Sequence, residues 1–109
     1  MDLREIQRLV RQGNYEFSLH AQQERLEENL DITEIEGALV GTAEILEEYP
    51  NDPRGESCLV LGFAGARPVH VVLGWAKRQQ DSSNILRVIT VYIPSLPKWI
   101  DSRTRGTTT

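Results

Sequence analysis

The apolar residues of this chain change their period once, and that change sets the fold class. Up to about Gly41 they recur three and four apart: Leu3, Ile6, Leu9 and Val10, then Leu19, Leu26 and Leu30. That is the spacing of helices with one apolar face. From Ala43 onward, short runs rich in Val, Ile and Leu alternate with turn residues, which is strand patterning. A chain of 109 residues has the length for one core. Helices first and strands after predict an α+β domain. Its N-terminal helices lie on one face of a curved, mainly antiparallel sheet of about four strands.

The punctuation places the elements. Residues 2–12 read as a helix stopped by Gly13-Asn14. Tyr15–Phe17 alternates and suits a short strand. Ser18 suits the N-cap of a helix over 19–29, with Leu19, Leu26 and Leu30 as its apolar stripe. Asp31 to Gly41 reads as a third helix, with Thr33 and Glu36 spaced as a capping box and Gly41 at a left-handed C-terminal position. Strands follow over 44–49, 57–63, 69–75 and 84–93, with a hairpin turn at 64–68 and a polar loop at 77–83. The strand at 84–93 is the longest and richest in β-branched residues, so the centre of the sheet is its expected place. The domain spans 1–100. Residues 101–109, DSRTRGTTT, hold no apolar side chain and are expected to form a disordered tail.

Composition narrows the class. No apolar run reaches the roughly 20 residues of a membrane span, and the charged start MDLREIQRLV is unlike a secretory leader. Cys58 is the only cysteine, which forbids an intrachain disulfide and points to the cytoplasm. Its apolar neighbours suit a buried thiol rather than a nucleophile. The net charge of −4 is uneven: −9 over residues 1–52 and +5 over 53–109. A basic half attracts phosphate, although acidic residues also simply cover helix surfaces.

The residues capable of chemistry sit in three segments, SLHAQQERLEENLDI (18–32), RPVHVVLGW (67–75) and ILRVITVYIP (85–94). They hold both histidines of the chain. Alternation places Leu86, Val88, Thr90 and Tyr92 on one face of the last strand, and His70 on a face of its neighbour. Antiparallel pairing would bring His70 to Tyr92, an imidazole beside a phenol. A structural hydrogen bond between them is the alternative. His20, in the first turn after Ser18, is expected neutral because the helix dipole opposes a cation there. Arg25 stands five residues on, about 140° round the helix, among glutamates that suit surface ion pairs. Arg54, Arg67, Lys77, Arg78 and Arg87 make a basic set at strands and strand ends, suited to phosphate. No glycine-rich phosphate loop, no serine elbow and no zinc-like His/Cys spacing is present, so no metal or other cofactor is expected.

Ser18-Leu19-His20-Ala21, Arg25-Leu26-Glu27-Glu28 and Asp31–Ile35 resemble an S-x-H-A … R-M-x-E-R-x-I-s signature. Leu61-Gly62, Arg67–Val72 and Ile89–Tyr92 with Pro94 resemble its remainder. Together they look like a small bacterial DUF-type family grouped with RelE/ParE-like toxins and similar to MqsR- and BrnT-type toxins, over roughly residues 4–99. The chain departs from the signature at Asn29-Leu30, where an arginine is expected, and by one extra residue between His20 and Arg25. The resemblance implies a RelE-like fold and metal-independent endoribonuclease activity on mRNA. It also implies an antitoxin partner, such as one with a CxxC zinc domain. Carried over residue by residue, it puts His20, Arg25, Thr90 and Tyr92 at family positions.

Two readings therefore stand together. In one, the chain cuts RNA with His20 or His70 as base or acid, Tyr92 and Thr90 beside them, and Arg25, Arg54, Arg67, Lys77 and Arg87 on the substrate. In the other, it is a catalytically inactive binding module on the same fold. An exposed sheet edge would also allow a homodimer.

Overall fold

The computed structural model describes residues 1–76 and 85–106. α1 (Leu3–Arg11) starts at Asp2, whose carboxylate accepts from the Arg4 amide, and buries Ile6, Leu9 and Val10. After β1 (Tyr15–Phe17), Ser18 caps α2 (Leu19–Glu27) by accepting from the Ala21 amide, as predicted. α3 (Ile32–Val40) carries a capping box two residues earlier than expected. Asp31 accepts from the Glu34 amide, and Glu34 accepts from the Asp31 amide. The side chain in the non-helical N-cap position, not the better-matching Thr33 pattern, decides where the box forms. Gly41 is not left-handed (φ −86°). Gly13 (φ 74°) and Asn29 (φ 54°) are. After each, an amide reverses onto the preceding helix: Asn14 N–H to Leu9 O at 2.9 Å, and Leu30 N–H to Arg25 O at 2.8 Å. Asn29, which interrupts the arginine signature, is thus a residue type that tolerates this backbone.

β2 (Glu44–Tyr49), β3 (Ser57–Ala64), β4 (Arg67–Trp75) and β5 (Leu86–Tyr92) join β1 in one open sheet. The order is β1-β5-β4-β3-β2. Strands β2 to β5 pair antiparallel, and β1 lies parallel to β5. The α+β class is as expected, but the sheet is mixed and has five strands rather than four. The alternation of Tyr15–Phe17 suits a strand, but a pairing that joins Tyr15 to Leu86 leaves no local trace. β4, nine residues long, is the longest strand and the central one; β5 lies one place in from the edge.

The helices cover one face. Ile6, Leu9, Ala21, Ile35, Ala38 and Leu39 pack there against Val60, Val71, Leu73, Leu86, Val88 and Val91. α3 approaches β3 so closely that a Cβ on Gly62 would lie 2.2 Å from the Ala38 carbonyl oxygen. The expected alternation of β5 fails in its second half. A bulge at Ile89, opposite Val72–Leu73, shifts the phase, so Val91 joins Leu86 and Val88 in the core while Tyr92 faces away with His70.

α2 is also placed differently from its expected stripe. Leu19 and Leu26 are 75% and 64% exposed, and only Ala21 and the following Leu30 are buried. β1 pairs with β5 only as far as Val88. Beyond that point α2 serves the open edge. The Ser18 amide donates to Val88 O and its hydroxyl to Ile89 O, both at 2.9 Å, and the Val91 amide donates to Glu24 Oε1 at 3.1 Å. Polar contacts along a strand edge, rather than a broad apolar face, hold this helix.

One end of the second face of the sheet is covered by the segment after β5. Residues 101–106 are not frayed. Ile100 N–H bonds Thr104 O, Gly106 N–H bonds Lys98 O, and Trp99 forms a bridge with Arg105. Without apolar residues, this stretch is held through charge. Arg105 bonds both carboxylate oxygens of Glu47 at 2.6 and 2.8 Å, and Arg103 pairs with Glu44. No helix among the described residues is long and apolar enough to cross a membrane.

Candidate functional site

The register builds the second face in rows. Glu44, Leu61, His70 and Tyr92 stand opposite one another across β2 to β5; Glu47, Leu59, Val72 and Thr90 form the next row; Tyr49, Ser57, Gly74 and Arg87 the third. The first row is closed over and the third is open.

In the closed row, His70 meets Tyr92 as the strand pairing predicts, but its ring is fully buried. Trp99 stands edge-on to it with ring centres 4.4 Å apart. His70 Nε2 lies 2.7 Å from Ser102 O, which can only accept, so Nε2 carries the hydrogen. Nδ1 is then the acceptor for the Tyr92 hydroxyl at 3.2 Å, and that hydroxyl accepts from Trp99 Nε1–H at 3.1 Å. Both imidazole nitrogens are engaged. Burial lowers the His70 pKa and raises that of Tyr92, which favours the neutral form of each. The Arg105 guanidinium lies 4.6 Å above the Trp99 ring. Its bonds to Glu47 hold that carboxyl down at about 2.

On the open side, two clefts share His20 and Thr90. One, of about 700 Å³, has Arg54, Arg87, Trp75, Asp52 and Glu56 on its walls and Gly74 among its lining residues. A Cβ at Gly74 would meet Ile89 Cδ1 at 2.9 Å, so the bare backbone there keeps room beside the bulge. The other, of about 630 Å³, runs past Glu24, Glu28, Tyr92, Ser95, Lys98 and Arg105. Arg54 lies 3.6 Å from Asp52 and Arg87 3.5 Å from Glu16, with side chains 87% and 45% exposed. Such exposed pairs hold weakly and leave the guanidinium groups able to take an anion. The His20 side chain is 66% exposed, with Nε2 3.3 Å from Glu24 Oε1.

The predicted site residues therefore divide. His20, Thr90, Arg54 and Arg87 come together at one opening. His70 and Tyr92 form a separate pair, and Tyr92 also borders the second cleft. Arg25 turns inward to Gln22 Oε1 and Leu30 O at the end of α2. Arg67 bonds Glu34 at 2.7 Å and Glu28 O at 3.4 Å, which fixes the hairpin against α3. Neither lines the clefts. Lys77 and Arg78 lie outside the described residues. Sequence reasoning passed over Glu24, whose spacing of four from His20 was the available signal, and Trp99, Arg105 and Glu47, which had none. Cys58 is buried, with its thiol pushed up to about 11 by desolvation, as its apolar neighbours suggest. Among the described residues no group of three or more His, Cys, Asp or Glu is arranged to hold a metal ion.

The chain matches the family model of a domain of unknown function, DUF4258, over residues 17–93. It belongs to the DUF4258 family. No curated protein and no solved structure matches it. The DUF4258 span starts at Phe17 and ends at Ile93, so it contains His20, Glu24, Arg54, Arg87 and Thr90. It also contains His70 and Tyr92, whereas Trp99, Ser102 and Arg105, which close over them, follow it. The Ser18–Ala21 segment at the start of this DUF4258 domain has a physical basis. Ser18 caps the helix and clamps the β5 bulge, Ala21 is small enough to pack flat, and His20 is left outward.

Proposed function

We propose that this chain is the toxin-like member of a toxin–antitoxin pair, a metal-independent endoribonuclease acting on mRNA on a RelE-like fold. The observation that carries the reading is the meeting of two clefts at His20 and Thr90, with Arg54 and Arg87 on the wall of one. Helices on one face of a largely antiparallel sheet agree with the fold it calls for. In this mechanism, His20 accepts the proton of an RNA 2′-hydroxyl as its oxygen attacks the adjacent phosphorus. The P–O5′ bond breaks, leaving a 2′,3′-cyclic phosphate and a 5′-hydroxyl. Arg54 and Arg87 stabilise the charge that develops on the phosphoryl oxygens. Thr90 donates to the bound phosphate. His70 has no part in proton transfer here, because both its nitrogens are occupied.

The test is induced expression in bacteria, reading growth and bulk mRNA for the native chain, His20→Ala and Arg87→Ala. Arrest with cut mRNA, relieved by both substitutions, is the expected result. Normal growth with soluble, folded native protein sinks the reading.

One observation favours a catalytically inactive binding module instead. Asp52 and Glu56 stand in the same cleft as the two guanidinium groups and oppose a polyanion. A native partner whose affinity survives His20→Ala and Arg87→Ala, with RNA left intact, is the result that would select this reading.

A further inference from the structure

We infer that Glu24 is the positioning residue for His20, the two forming a carboxylate–imidazole pair where the clefts meet; this rests on the endoribonuclease reading above. Residues 20 and 24 share one face of α2 by their spacing. What sets this pair apart from a surface contact is that the carboxylate is anchored. Glu24 Oε1 accepts from the Val91 amide at 3.1 Å, beyond Val88, where the pairing of β1 with β5 ends. The same oxygen lies 3.3 Å from His20 Nε2. An ionised carboxylate oxygen has lone pairs for both donors. Its side chain is 21% exposed against 66% for the imidazole, so the fixed partner is sheltered and the reacting one open.

The consequence is a choice of nitrogen. A small rotation of the exposed ring turns Nε2–H onto Glu24 Oε1, 3.3 Å away; Nδ1 then keeps the lone pair and is the atom that takes the 2′-hydroxyl proton. The imidazolium then forms beside a negative charge already in place, and the proton returns to the departing O5′. Ser18 supports the arrangement from the other side, since its hydroxyl ties the start of α2 to Ile89 O at 2.9 Å. The bulge at Ile89 brings Thr90 to the same opening.

The test uses the full chain with 15N-labelled histidine at a pH where both rings are neutral, comparing native protein, Glu24→Ala and Glu24→Gln. The native His20 ring is expected in a single Nε2–H form. Glu24→Ala moves it toward the mixed population of a free imidazole, while Glu24→Gln, whose amide oxygen still accepts, largely keeps it. The His70 ring signals stay unchanged in all three and report an intact fold. On RNA, Glu24→Ala lowers kcat by about 10²-fold, the lower end of what a placed proton acceptor contributes, with KM unchanged, and Glu24→Gln restores part of it. Identical His20 ring signals in native and Glu24→Ala protein overturn the pairing, whether or not the chain cuts RNA. A fixed Nε2–H form that Glu24→Ala releases, in a chain that leaves RNA intact, supports the pairing and sinks the ribonuclease reading alone.

Discussion

The two histidines of this chain sit on the same sheet system and have opposite fates. His70 is enclosed, with a tyrosine, a tryptophan and a backbone carbonyl consuming its edges. His20 stands at an opening with one anchored carboxylate near it. Both lie in segments that suggested chemistry. The difference is made by what covers each: residues 95–106 fold over the first, and nothing among the described residues closes over the second. A titratable side chain becomes a reaction candidate through the access it keeps, and a satisfied network in a buried setting works toward rigidity instead.

The largest effect is expected where the cover is removed. Trp99 is 2% exposed and plugs the closed row, so Trp99→Ala should cost about 3–5 kcal/mol of stability, read as a lower midpoint in urea. Removing His70 strands the Tyr92 hydroxyl and the Ser102 carbonyl. His70→Ala should therefore cost about 2–4 kcal/mol, from lost packing and unpaired groups together. A midpoint within experimental error of the native value for either variant would contradict the enclosed network.

Acid should sharpen the contrast further. Burial holds the folded-state pKa of His70 below its ordinary 6.5. As pH falls, the unfolded chain takes the proton first, so this part of the stability is complete above about pH 6.5 and declines below it. Glu47 acts in a lower window. Its carboxyl is held at about 2 against an ordinary 4.5, so its contribution is present above 4.5 and is lost as pH falls toward 2. Unfolding followed from pH 8 to 4.5 should show a loss in the native chain that His70→Gln flattens. An unchanged slope would mean that the ring is not held neutral.

Smaller effects mark the periphery. Arg105→Ala breaks a two-bond pair with Glu47, but at a half-exposed site, and should cost about 1 kcal/mol by thermal melting. His20→Ala should leave stability within about 0.5 kcal/mol of native. A large loss there would make His20 a structural residue and erase the contrast.

Much of the fold was legible because local rules govern it. Ser18 at the cap, the hairpin turn between β3 and β4, and the helix-to-strand change each depend on residues close in sequence. The parallel β1–β5 pairing, the bulge at Ile89 and the order in the last residues do not. Each comes from contacts across the chain, and the bulge alone moved Val91 into the core and turned Tyr92 away from it. Of the site, strand register made the His70–Tyr92 meeting readable, yet not its enclosure, because the covering segment carries charges that pair with distant glutamates. The resemblance suggests Arg25 as a substrate ligand, and charge at a strand end suggests Arg67; their partners Leu30 O and Glu34 appear only once the helices are packed.

The most direct test of the account is cleavage of a defined single-stranded mRNA fragment by purified native chain, His20→Ala and a matched His70→Gln that remains folded. The account predicts products ending in 2′,3′-cyclic phosphate from the native chain and from His70→Gln, and a loss of about 10²-fold or more in His20→Ala. Cleavage by His20→Ala at the native rate, or loss in His70→Gln alone, would place the chemistry in the enclosed row and contradict it.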